Sequence, residues 1–198
     1  MRENISTHSS LAPFSEVAPR SFETEHLRLR ALTVTDLDLI FETYAGDLVA
    51  TKYMAWQRYT NPEDGRPFLE MVDASFSGKP IGAVQFSWLI TLKSTGESIG
   101  ACGIGNDSES SAEGGYILNP RFWGNGYAAE AFKAVIDWAQ SQPGVERISA
   151  THHPDNPASG AVMQKVGLLF ERVARKENGY PNQGQAVVDE VVYAWTRS

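Results

Sequence analysis

The chain has 198 residues, which at about 100–200 residues per domain means one domain, and its 42% hydrophobic and 21% charged residues are an ordinary globular balance. A net charge of −7 works against nucleic-acid binding, which needs a positive field; it suits a cationic partner such as an amine, or serves solubility alone. One cysteine cannot form an internal disulfide, no apolar run nears the roughly 18–20 residues that span a bilayer, and the first residues lack an apolar signal core, so the reading is a cytoplasmic protein with no membrane partner.

In chain order, residues 1–22 are polar, Ser-rich and without apolar periodicity, and read as a flexible N-terminal arm ahead of a single domain over 23–198. Residues 26–32 alternate as a strand does. Thr33 or Thr35, each with an Asp three residues on, can cap a helix that carries Leu37, Ile40, Phe41 and Tyr44 on one face and ends at Gly46. A short helix is read over 49–52. Asn61-Pro62 starts another, with Phe68, Leu69, Val72 and Phe76 on one face and Gly78 as its stop. Residues 83–92 and 98–104 read as a hairpin joined by 93–97, 105–112 as a polar loop and 113–118 as a third strand. Then come a loop at 119–125, a helix over 126–140, a strand at 145–151, a helix at 157–166 and two closing strands at 168–174 and 186–195. The order predicts a mixed α/β (α+β) domain with helices covering a sheet.

One segment carries chemistry. Arg121-Phe122-Trp123-Gly124-Asn125-Gly126 lies between a strand and a helix, and Gly124 and Gly126 allow a tight turn with no Cβ in the way. The amides of 123–128 would converge at the helix N-terminus, where unpaired N–H groups and the helix dipole favour phosphate. Glycine spacing alone leaves a plain Gly-rich loop equally open, and neither a Walker loop nor a Rossmann fingerprint is present.

Arg-x-x-Gly-x-Gly at 121–126 resembles the Gln/Arg-x-x-Gly-x-Gly/Ala motif of the GNAT acetyltransferases. With its flanks, from Ala112-Glu113-Gly114-Gly115-Tyr116-Ile117-Leu118-Asn119-Pro120 to Tyr127-Ala128-Ala129-Glu130-Ala131, it looks like the RimJ/RimL-like, ribosomal-protein N-acetyltransferase-like branch. Asn156-Pro157-Ala158-Ser159 with Lys165-Val166-Gly167-Leu168, and Asp189 four residues before Tyr193, resemble later motifs of that branch. The resemblance spans about residues 23–196. It implies a GNAT fold, with a mostly antiparallel twisted sheet splayed at the cofactor site and flanked by helices, and acetyl-CoA as co-substrate. It implies that Arg121, Trp123, Gly124, Asn125, Gly126, Tyr127 and Ala128 hold the coenzyme A pyrophosphate. Ile117, Leu118 and Asn119 would pair with the pantetheine arm, an N–H near Leu118 would face the thioester oxygen, and Asn156 would bond the pantetheine region. Lys165 either approaches the adenosine phosphates or is an exposed helix lysine.

Glu113 matches an acid of the family pattern and is the candidate base; a strand-edge ion pair is its other reading. Many relatives place a tyrosine where Met163 stands, so that acid is missing; Ser159 either relays a proton or caps the start of its helix. His152 and His153 depart from the branch and read as polar loop residues or as a base near the acceptor; no other His or Cys completes a metal site. Cys102 reads as core. The expected activity is acetyl transfer by direct attack of a primary amine, either a protein N-terminal α-amine or a small molecule, by a monomer or homodimer. A non-catalytic acetyl-CoA-binding regulatory module is the alternative. The acceptor would be set by helices over 36–77, including Trp56, Arg58 and Tyr59, and by the loop at 175–185.

Overall fold

The structure, a computed structural model, describes residues 11–80, 82–176, 179–184 and 187–198. Eight strands form one sheet in the order β1-β2-β3-β4-β5-β6-β8-β7. They are β1 Ser21–Glu23, β2 Leu27–Ala31, β3 Gln85–Leu92, β4 Ser98–Asn106, β5 Ser111–Leu118, β6 Arg147–His152, β7 Leu169–Lys176 and β8 Val188–Thr196. Every neighbouring pair is antiparallel except β5 and β6. The helices are α1 Leu37–Ile40, which runs on as a wider turn over Phe41–Ala45, then α2 Arg66–Phe76, α3 Tyr127–Ser141 and α4 Pro157–Lys165.

Local chemistry explains most boundaries. The Asp36 carboxylate accepts the Thr33 N–H at 2.9 Å and a two-pronged contact from the Arg30 guanidinium at 2.6 and 2.9 Å. Burial pushes the Asp36 pKa up, but Arg30 and the Thr33 N–H outweigh it and hold the group below its usual value. Asn61 takes the Glu63 N–H, and Pro62 opens the turn that leads into α2. Residues 49–52 form turns rather than the expected helix; Asp47 accepts the Val49 and Ala50 N–H groups, a local bonding pattern that competes with a helical ladder. The polar loop expected over 105–112 is tighter: β4 runs to Asn106 and β5 starts at Ser111. Asp107 and Ser108 bond the Ser111 backbone and hydroxyl, so polar residues close a hairpin there. Residue 186, the expected start of the last strand, lies outside the described residues.

The sequence reads residues 1–22 as a flexible arm. Residues 1–10 lie outside the described residues, but 11–22 are a strap across the core. Phe14 is 3% exposed, stacks on Trp138 at 5.2 Å and meets Phe86 edge-on at 5.5 Å. The Trp88 indole donates to the Pro19 carbonyl at 2.8 Å, and Ser21–Glu23 pair with β2. A polar composition hid two apolar anchors, Phe14 and Ala18, that show no periodicity because the segment around them is irregular, with a turn and bends. Phe14→Ala is expected to lower unfolding free energy by about 3 kcal/mol, measured by urea denaturation; a loose arm would leave it within about 0.5 kcal/mol.

Candidate active site

The site begins where two strands part. β5 and β6 pair only over Ser111↔Arg147, Ala112↔Ile148 and Glu113↔Ser149. Each keeps its other neighbour along its whole length, β4 for β5 and β8 for β6, so the gap between them widens toward residues 118 and 152. The β5 edge over 114–118 is left without a strand partner. Alternation fixes what it offers: the Asn119 N–H goes to Ile99 on β4, so the Leu118 N–H points the other way, into the gap. The Leu118 carbonyl is taken by the Trp123 indole at 3.0 Å.

Below the gap, the turn at 119–126 leads into α3. Asn119 accepts the Arg121 N–H and donates to the Thr43 carbonyl, while the Asn125 side chain donates to the carbonyls of Phe122 and Trp123. Gly124 and Gly126 have φ of 81° and 84°, a left-handed backbone that other residues resist, and a Cβ on either would stand in open space. The first bond of the helix runs from Glu130 N–H to the Gly126 carbonyl. The N–H groups of Tyr127, Ala128 and Ala129 therefore have no carbonyl partner among the described residues. Glu130 anchors this helix start: its carboxylate accepts the Thr24 hydroxyl, the His26 N–H and the His26 ring at 2.5–2.9 Å.

A cleft of about 490 Å³ passes through the gap. One side is lined by the α3 start and by α4; the other by residues 49–55 and Tyr180. Tyr116 and Glu113, three residues apart on β5, face opposite sides. Tyr116 packs on Phe132 of α3 and donates its hydroxyl proton to the Ser159 carbonyl at 2.8 Å, with the Ser159 hydroxyl also at 2.8 Å. Glu113 opens to the other side. Its side chain is exposed in the open cleft, yet the surrounding walls still desolvate it and raise its pKa; Lys176 and Arg147 pull it back, and Asp107 and Glu190 push it further up. Lys176 is itself bonded to Glu190 at 2.9 Å. Burial, with the charges of Glu190 and Glu113, also raises the Tyr180 phenol, so it stays protonated.

The structure brings Glu113, Ile117, Leu118, Trp123, Gly124, Gly126, Tyr127, Ala128, Asn156 and Ser159 to this one cleft, with Met163 and Lys165. Asn119, Arg121 and Asn125 do not line it. Asn119 and Asn125 shape the turn, and Arg121 is 74% exposed beside Glu97 at 3.3 Å. Of the residues named for the acceptor, Trp56, Arg58 and Tyr59 lie behind the wall, and Tyr53 and Tyr180 are the aromatic residues that reach the cleft there. His152 belongs to a strand rather than a loop, and His153, in the loop that follows, is buried rather than exposed. His152 ends β6 and is 7% exposed; its Nδ1 donates to the His153 carbonyl, and its Nε2 lies against Gly160, where a Cβ would come within 2.8 Å. His153 is 2% exposed, accepts the Asp155 N–H on Nδ1, and packs between the rings of Tyr53 and Tyr180 at 5.0 and 4.8 Å. A hydrogen-bonded imidazole tolerates burial, which polarity in the sequence did not reveal. Tyr116 and Tyr180 carried no sequence signal beyond their type. Cys102 is buried, which raises its pKa and leaves it an inert thiol.

Residues 26–169 match the family described as the Acetyltransferase (GNAT) domain. The chain is 35% identical over 154 residues to the uncharacterized N-acetyltransferase p20 of Bacillus licheniformis, covering 74% of this chain and 83% of that protein. Its structure resembles a GNAT-family acetyltransferase from Bacillus anthracis, with a TM-score of 0.70 at 26% identity over 89% of this chain and 98% of that one. It also resembles the ribosomal-protein-S5-alanine acetyltransferase of Vibrio fischeri, with a TM-score of 0.73 at 22% identity over 89% and 96%, a likeness of fold alone. The chain belongs to the GNAT acetyltransferase family, and it has that family's mixed α/β fold.

Two outcomes follow from the geometry. Gly126→Val places a branched side chain at the mouth of the unpaired amides; calorimetry on the folded variant is expected to show acetyl-CoA affinity at least about tenfold weaker, several lost amide bonds being worth more than 1.4 kcal/mol. For Glu113 the raised pKa means that the folded state holds its proton more tightly than the unfolded chain, so the ionised group costs stability above its folded pKa. Glu113→Gln is therefore expected to raise Tm at pH 7–8 by calorimetry, with the difference vanishing as pH falls to about 4.3, the unfolded value.

Proposed function

We propose that the chain transfers the acetyl group of acetyl-CoA to a primary amine by direct attack. The carrying observation is that one cleft joins an open strand edge and an unpaired helix start, on one side of the sheet, to the carboxylate of Glu113 on the other. The residues fit the co-substrate. The amides at 127–129 suit a pyrophosphate, and the β5 edge at 114–118 suits an extended arm with amide groups of its own. Solved structures that share this fold at 18–21% identity are complexes with acetyl-CoA and with coenzyme A.

The amine nitrogen attacks the thioester carbonyl carbon from the Glu113 side. Negative charge grows on the carbonyl oxygen, and the Leu118 N–H, already aimed into the gap, is the donor placed for it. The amine's extra proton passes to Glu113, directly or through water, and the carbon–sulfur bond breaks to release the thiolate. The thiolate takes its proton from solvent, either directly or relayed through the Ser159 hydroxyl, which gives one proton and takes another from water. The Tyr116 hydroxyl holds Ser159 in place, and burial keeps that phenol protonated. With Met163 in place of the tyrosine of many relatives, the thiolate meets a weaker acid, and Glu113 is a weak base even with its pKa raised.

A site so equipped favours an acceptor that is already partly neutral. At pH 7 the neutral fraction of an α-amine, pKa about 7.7–8.0, exceeds that of a lysine, about 10.4, by over two orders of magnitude. An acetyl transferase from Salmonella typhimurium, similar in fold at 20% identity, is described as modifying the N-terminal serine of ribosomal protein L7/L12, which supports the same choice. The test is a thiol-release assay with two peptides, one with a free N-terminus and no lysine, the other N-acetylated with a single lysine. The first is expected to react at least about tenfold faster at pH 7. A faster lysine peptide would overturn the α-amine preference, and no amine-dependent release with either peptide or with small amines would overturn acetyl transfer itself.

A further inference from the structure

The wall of the cleft facing Glu113 is a loop without regular structure. Val49, Ala50, Tyr53, Met54 and Ala55 line the cleft from it, yet the loop contributes no strand and no helix that would hold its shape. It is gripped from behind by one side chain more than 120 residues away. Asn182, in the short turn Pro181–Gln183 between β7 and β8, donates from Nδ2 to the carbonyls of Thr51 at 2.8 Å and Trp56 at 2.9 Å. Its Oδ1 accepts the Arg58 N–H at 2.8 Å and the Gln57 side-chain amide at 3.2 Å. Two carbonyls that only accept and one backbone N–H that only donates fix which way round the amide lies. All four bonds of the side chain are used, and all four go to the loop.

The same turn follows Tyr180, whose ring lines the cleft and packs on His153, which packs in turn on Tyr53 of the loop. Asn182 and the Tyr53–His153–Tyr180 stack therefore join three separate segments into one surface. The α3 start and the β5 edge take no part in this assembly, and no bond of Asn182 reaches them.

We propose that Asn182 is the positioning residue of the acceptor wall, setting the affinity for the amine while leaving the affinity for acetyl-CoA unchanged. This rests on the acetyl-transfer reading above. A carboxylate cannot replace the amide: it keeps the size of the side chain and the two acceptor bonds but cannot donate to the carbonyls of Thr51 and Trp56, and it sets a negative charge against them. Bulk alone would predict that Asp is tolerated, whereas the bonding pattern predicts that it is not.

The experiment compares wild type, Asn182→Ala and Asn182→Asp in the thiol-release assay, using the lysine-free peptide and a panel of small primary amines, with acetyl-CoA binding followed by calorimetry. Expected is a rise in KM for every accepted amine of about tenfold in both variants, consistent with the loss of two or more hydrogen bonds, with kcat reduced less than KM is raised. The acetyl-CoA Kd is expected to stay within about twofold. Wild-type KM in Asn182→Asp, or a fall in acetyl-CoA affinity matching the rise in KM, would overturn the proposal, the latter by showing a general loss of structure. Amine-dependent thiol release absent from wild type would instead overturn the acetyl-transfer reading on which it stands.

Discussion

Everything at this site depends on the early parting of two parallel strands. β5 and β6 share three residue pairs and then separate, because each is bound along its other edge to a partner that follows its own twist. Buried backbone groups must find partners, so a parted pair inside a sheet is a standing demand for something that can hydrogen-bond. The Trp123 indole meets part of it at the Leu118 carbonyl, and the rest of the edge opens into the cleft. The parting also makes a passage through the sheet. It thereby allows a donor bound on the face of α3 and α4 to meet an acceptor that enters from the other face.

Positions close to the gap are held firmly. Glu130, on the first turn of α3, collects three donors from the β1–β2 turn and so fixes the helix start against the sheet, with its own pKa lowered: burial opposes ionisation, and the bonds from Thr24 and His26 prevail. Asn119 ties the turn before α3 to the wide turn after α1. Unpaired amides attract an anion only when they are held in place beforehand, since ordering them at the moment of binding would use up the gain. Glu113 is held differently. Its carboxylate has no hydrogen-bond or ion-pair partner among the described residues, and the cation that lowers its pKa most, Lys176, is bonded to Glu190. Although the side chain is open to the cleft, desolvation holds its pKa above the usual carboxylate value, which makes it a better proton acceptor than a free glutamate.

The sequence made the succession of strands and helices after residue 26 and the α3 turn legible, because strand alternation, the Gly124 and Gly126 positions and the run of residues 112–131 are local patterns. It misread what is settled by distant partners. Phe14 looked like part of a polar arm until Trp138 and Phe86 supplied its surroundings. His152 and His153 looked like loop residues until a backbone carbonyl, a backbone N–H and two tyrosine rings satisfied them in the interior. Arg121 matched a motif position, but its guanidinium lies beside Glu97 and over the Phe122 ring, outside the cleft. A motif specifies backbone path more reliably than side-chain direction.

The same division separates the chemistry from its substrate. The open strand edge, Glu113, Tyr116 and the amides of the α3 start all lie within residues 111–129, one strand–turn–helix unit whose geometry is set by its own glycines and neighbouring strand pairs. The acceptor side is assembled from three segments: residues 47–58, the corner at 152–156 and the turn at 179–184. Changes in the second group can alter the wall without touching the first, because no bond of Asn182, Tyr53 or Tyr180 runs to the α3 turn. Resemblance over the first group therefore marks the family, while the shape of the facing wall is written in side chains far apart in sequence. In this chain those side chains set the rings of Tyr53, His153 and Tyr180 around a cleft that also exposes the Glu113 carboxylate, so shape as well as charge defines the space beside that group.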